Sequence, residues 1–176
     1  MAETFICLLR AVNVGGRKLV MADLRAAAEA AGFEAFRTYI QSGNLLFSAK
    51  GNEAEAEDAI EALIETAFGL KVIALVRSAR HFAEIAEANP FPEALPNQLH
   101  LCLTKHPPYS DASATLAARA LAGERIALAG GALWIDFARG VGNSKLTPPL
   151  LDKAAGSTLT ARNWNTVQKL IEMVGE

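Results

Sequence analysis

Cysteine and histidine are scarce in this chain: Cys7, Cys102, His81, His100 and His106 are the whole supply. They show no metal-ligand spacing, so no metal site is predicted. Both cysteines sit in apolar, strand-like runs, which reads as buried thiols in a soluble, cytoplasmic protein. No apolar run approaches the roughly 20 residues that cross a bilayer, and no membrane partner is expected. Glu3 and Thr4 stand where a signal peptide would want a basic start, so none is predicted. The spacings G-x-x-x-x-G-K-[ST] and G-x-G-x-x-G are missing, which removes the P-loop and dinucleotide readings. No cofactor is predicted. No serine or cysteine is paired with a base by a local signature, so the question of enzyme or non-enzyme stays open. The net charge of -2, with a pI of about 6.0, argues against broad binding of nucleic acid.

What is present is a packed globular composition, 51% hydrophobic and 20% charged over 176 residues. That length suits one domain or two small subdomains. The unusual polar residues crowd into two segments. Arg10-Ala11-Val12-Asn13-Val14-Gly15-Gly16-Arg17-Lys18 follows an apolar strand. The other runs from Gly142-Asn143-Ser144-Lys145 to Thr160-Ala161-Arg162-Asn163-Trp164-Asn165-Thr166. A fold that joined them would make one basic, glycine-lined site. Its candidate ligand-binding residues are Arg10, Asn13, Gly15, Gly16, Lys18, Lys145, Arg162, Asn163 and Asn165. Glycine N–H groups before a helix start, with arginine and lysine beside them, suit a phosphate or carboxylate. Two loop glycines also serve simply as a turn, and Asn163 as a helix cap. Gln41-Ser42-Gly43-Asn44 reads first as a hairpin turn.

Periodicity predicts strands at 4–10, 36–41, 44–48 and 71–76, with helices from Met21 to about Ala31 and over 53–68. The second helix should bury Ala56, Ile60, Leu63, Ile64 and Ala67. This βαββαβ order is that of a ferredoxin-like unit. Its central strands are apolar on both faces, so both faces should be covered. The remainder repeats the theme: a helix at 80–88, a strand at 98–104 and a helix at 111–121 capped by Ser110. A hairpin at 125–129 and 132–136 turns across Gly130-Gly131. Thr147 then caps a short helix, and a last helix after Thr160 buries Trp164, Val167, Ile171 and Val174. The expected fold is α+β, with two ferredoxin-like (βαββα-type) subdomains packed together, divided as 1–77 and 78–176. Six acids and no base between Gly51 and Leu70 read as the solvated face of a helix.

Four motifs in order resemble those of a bacterial family named domain of unknown function 1697. They are Leu8 to Gly16, Tyr39-Ile40-Gln41-Ser42-Gly43-Asn44, Ser144-Lys145-Leu146-Thr147 and Thr160 to Thr166. The resemblance spans essentially the whole chain. It implies a cytoplasmic α+β fold with no assigned activity, and carries over no catalytic residues. Ala11 stands where the family pattern usually has glycine, which relaxes the case for close backbone approach there.

Three functions follow. The first is a site for a small phosphorylated or carboxylated ligand. The second is nucleic-acid binding, disfavoured because Leu45-Leu46-Phe47-Ser48 replaces the glycine-aromatic pattern of RNA-recognition domains. The third is a structural or assembly role, in which the motifs only lock the subdomains together. A homo-oligomer is compatible with each.

Overall fold

The structure is a computed structural model that describes residues 2–176. It is α+β, and divides into two compact units, Met1–Phe82 with Leu170–Glu176, and Ala83–Lys169.

The first unit runs β1 (Glu3–Arg10), α1 (Met21–Ala30), β2 (Glu34–Tyr39), β3 (Asn44–Ala49), α2 (Glu53–Phe68) and β4 (Ile73–Ser78). Its strands form an antiparallel sheet in the order β2-β3-β1-β4. Phe5, Cys7 and Leu9 point to the face that packs with Leu24 and Ala28 of α1 and Ile60 and Ile64 of α2. Ile6, Leu8, Leu46 and Leu75, on the opposite face, are fully buried too, as a strand apolar on both sides requires. Phe33, Phe36, Phe47 and Phe5 form a chain of rings with centroids 5.6–6.1 Å apart.

The second helix has the predicted bounds because its punctuation is local. Asn52 and Glu55 close a capping box, and Gly69 ends the helix at φ +65°. Its acids correct the expectation of a merely solvated face. β4 is an edge strand, so every second N–H points away from β1. Glu61 Oε1 accepts from Ala74 N at 2.9 Å, Glu57 Oε1 from Val76 N at 3.0 Å and Glu53 Oε1 from Ser78 N at 2.9 Å. Carboxylates spaced four apart on one helix face thus follow N–H groups spaced two apart on a strand. Glu57 is buried and stands 3.8 Å from Arg77. Ala67, expected in the core, is exposed.

Helix α3 (Ala79–Glu87) follows, and stops before Pro90. The second unit holds β5 (Leu99–Thr104), α4 (Ala112–Ala117), β6 (Arg125–Ala129), β7 (Ala132–Asp136), α5 (Pro148–Ala155) and β8 (Leu159–Asn163). Its sheet is also antiparallel, in the order β6-β7-β5-β8. Cys102, Leu133 and Ile135 pack against Leu116 of α4 and Leu151 and Ala155 of α5. Burial pushes the Cys102 thiol up to about 12.

Three expectations change here. β8 was not expected: three of its five residues, Thr160, Arg162 and Asn163, are polar, and it becomes a strand by pairing with β5. α4 is shorter than predicted and follows Asp111, with no side-chain cap from Ser110. The last helix, α6 (Trp164–Val174), buries Val167, Leu170 and Met173, while Trp164, Ile171 and Val174 are half-buried. Asp152 Oδ1 accepts from Leu159 N at 2.9 Å, so an acid of α5 serves the edge strand β8 as the glutamates serve β4.

Two outcomes test this packing. Glu57→Ala removes the acceptor of a buried N–H, and should cost about 2–4 kcal/mol in urea unfolding, against about 0.5 or less for exposed Asp58→Ala. Equal costs would contradict the carboxylate ladder. Burial also holds His100 below its ordinary 6.5, although its Nδ1 lies 3.0 Å from the Gln98 carbonyl. The depressed value means that the unfolded chain takes up the proton first. Stability should therefore fall as pH drops through about 6.5, and His100→Gln should remove that part of the slope. An unchanged slope would contradict it.

Candidate functional site

β1 ends at Arg10, and the chain then takes unusual turns. Ala11 and Asn13 have φ of +52° and +55°, conformations that cost a non-glycine residue roughly 1–2 kcal/mol. Asn13 N donates to Arg17 O at 2.7 Å and Arg17 N to Val14 O at 3.1 Å. Gly15 and Gly16, at φ +58° and +83°, form the exposed tip of this small hairpin. The glycines therefore make a turn, and α1 starts five residues later at Met21 instead of directly behind them.

The Asn13 side chain holds the loop. Its Oδ1 accepts from Leu19 N at 2.7 Å, and its Nδ2 donates to Leu19 O at 2.9 Å and to Gln41 O at 2.6 Å. The second motif meets the first here. Leu9 N donates to Gly43 O at 2.8 Å, and a Cβ on Gly43 would stand 2.6 Å from Val12 Cγ2 and 2.8 Å from Leu9 Cβ. Only glycine fits so close an approach. Buried Asn44 donates from Nδ2 to Tyr39 O and Ser42 Oγ at 3.0 and 2.9 Å, and Ile40 has φ +50°. Among the described residues, three of the four left-handed non-glycine positions thus lie in two loops that brace each other.

Two clefts open beside these loops. One, of about 270 Å³, is lined by Arg10, Ala11, Arg17, Lys71, Val72 and Ile73. The other, of about 490 Å³, is lined by Asn13, Gly16, Arg17, Lys18 and Gln41. Arg17 belongs to both, and its guanidinium donates to the Lys71 carbonyl. Among the described residues no carboxylate lines either cleft. A larger cavity of about 580 Å³, between α1 and α2, is lined by alanines with Phe33, Leu63 and Thr66 and offers no charged group. Sequence reasoning named Arg10, Asn13, Gly15, Gly16 and Lys18 but not Arg17, Gln41 or Lys71 as ligand contacts. The pairing of Arg10 with Ile73 is what carries Lys71 to the end of β1.

The remaining candidates lie in the second unit. Arg162 is buried on β8, and its Nη1 donates to Thr160 Oγ1 at 2.9 Å and Ala161 O at 2.8 Å. Asn163 Oδ1 accepts from Thr166 N at 3.0 Å and so caps α6. Asn165 and Lys145 are both exposed. Ser144 donates to Glu124 at 2.5 Å and accepts from Leu146 N at 3.1 Å. Against the cost of desolvation, the Ser144 hydroxyl and nearby N–H groups hold the Glu124 carboxyl below its usual value.

A polar cluster that sequence reasoning missed lies on β6 and β7. Arg125 donates to Asp136 Oδ2 at 3.0 and 2.7 Å and to Glu93 at 2.5 Å, over the Phe91 ring at 4.6 Å. Glu93 first, then Asp136, holds the guanidinium charged. Among the described residues no group of three or more His, Cys, Asp or Glu is placed to hold a metal ion.

Residues 2–134 match the model of a family described as "Protein of unknown function (DUF1697)". Among solved structures, the chain is similar to a conserved bacterial protein from Streptococcus pneumoniae, with a TM-score of 0.77 and 21% identity. The match covers 98% of this chain and 99% of that one. At such identity the likeness shows the fold alone. No curated protein matches the chain.

The backbone at Ala11 gives a signed test. Ala11→Gly should leave stability unchanged or raise it by up to about 1 kcal/mol, because glycine adopts φ +52° freely. Ala62→Gly, on the exposed face of α2, should cost about 1 kcal/mol in the same denaturation experiment. Equal losses at both positions would contradict the strained loop.

Proposed function

The chain belongs to the family of unknown function DUF1697, which assigns no activity, and from that premise we propose that its first unit binds a small anionic ligand, phosphorylated or carboxylated, in the clefts beside Arg17. The observation that carries this reading is the gathering of Arg10, Arg17, Lys18 and Lys71 around two clefts without an acid, on loops braced in a strained conformation. Arg17 and Lys18 supply the charge-assisted donors, Gly15 and Gly16 let a ligand approach the backbone, and Asn13 positions the loop. Of the candidates in the second unit, Arg162 and Asn163 are engaged with neighbouring backbone groups, whereas Lys145 and Asn165 are exposed. The same proposal takes each βαββαβ unit as a ferredoxin-like subdomain, divided at residues 77 and 78, in a cytoplasmic protein.

One observation favours a second reading. Asn13, Asn44, Arg162 and Asn163 all spend their side chains on backbone groups, which a purely structural role also requires. Thermal unfolding against phosphate, sugar phosphates, nucleotides and dicarboxylates separates the two. Wild-type protein should gain several degrees with at least one anion, and Arg17→Ala should lose most of that gain. No gain with any anion favours the structural role.

A further inference from the structure

The ligand class follows from the way the two clefts share a wall. Arg17 lines both, with Arg10 and Lys71 on one side and Lys18 on the other. Its hydrogen bond to the Lys71 carbonyl ties the guanidinium to the segment just ahead of β4 and leaves most of its N–H donors for a ligand. Lys71 Nζ stands 3.8 Å from Glu65, a pair too exposed to hold the ammonium firmly. Lys18 is exposed at the rim of the second cleft. A single anion in one cleft would leave the lysine of the other unanswered.

We propose that the ligand carries two linked anionic groups of phosphate type, a diphosphate or bisphosphate, one in each cleft with Arg17 between them. This rests on the anion-binding reading above and goes further, because it requires the clefts to act together. Linking the groups makes the second contact intramolecular, so affinity rises well beyond that of a single phosphate when the span fits. An arginine at the centre suits this, since a planar guanidinium can donate to different anions along different edges.

Titration calorimetry of the full chain at constant ionic strength, with orthophosphate, pyrophosphate and tripolyphosphate, tests it. At least one of the two linked phosphates should bind about tenfold or more tightly than orthophosphate. Lys18→Ala and Lys71→Ala should each bring that ligand down to the orthophosphate level. Lys50→Ala, an exposed base outside both clefts, should leave it unchanged. Equal affinity for all three ligands overturns the two-cleft proposal and leaves a single-anion site standing. An equal loss in all three variants also overturns it, because overall charge would then explain the preference. Binding of none of the three removes the anion-binding reading itself.

Discussion

The carboxamide of Asn13 is the constraint on which the candidate site depends. It sits in a left-handed conformation, answers both backbone groups of Leu19 and reaches the Gln41 carbonyl in the next loop. Without it the Val14–Arg17 hairpin would keep the Arg17 contact to the Lys71 carbonyl but lose its hydrogen bonds to Leu19 and Gln41. With it, Arg17 and Lys18 stand on a support fixed before any ligand arrives, which lowers the ordering cost of binding. The tight fit of Gly43 against Val12 and Leu9 adds a second fastening between the same loops.

Beneath the loops lies a sheet whose outer edge is answered by side chains instead of a further strand. Glu53, Glu57 and Glu61 give β4 the acceptors that a neighbouring strand would have supplied. Unlike a strand, the carboxylates also carry charge, and Arg77 stands beside Glu57. The device fixes β4 against α2, and thereby fixes Lys71 just ahead of β4. The second unit uses a reduced form, with Asp152 alone on β8. Scaffold and site are therefore linked through the start of one strand.

Much of this was legible where the signals are local. Asn52 and Gly69 mark the ends of α2, and Gly130-Gly131 marks the hairpin between β6 and β7, both with the predicted bounds. What depended on distant partners was not. β8 is a strand because β5 lies beside it, and its own short polar sequence gives no alternation to read. The acids of α2 looked solvated because the N–H groups that they serve lie up to 25 residues away. Their spacing beside the apolar stripe of Ala56, Ile60 and Ile64 was the available signal. Arg17 and Lys71 are 54 residues apart, and only the pairing of β1 with β4 joins them. The Ala11 departure was visible in the sequence, but its meaning is a backbone angle, which spacing alone does not reveal.

Amide hydrogen exchange at Leu19 in the ligand-free protein bears most directly on the braced loop. Leu19 N–H should exchange far more slowly than those of Gly15 and Gly16. In Asn13→Ala it should become fast while the amides of β1 keep their protection. Rapid exchange at Leu19 in the wild-type chain, or protection that survives Asn13→Ala, would contradict the account.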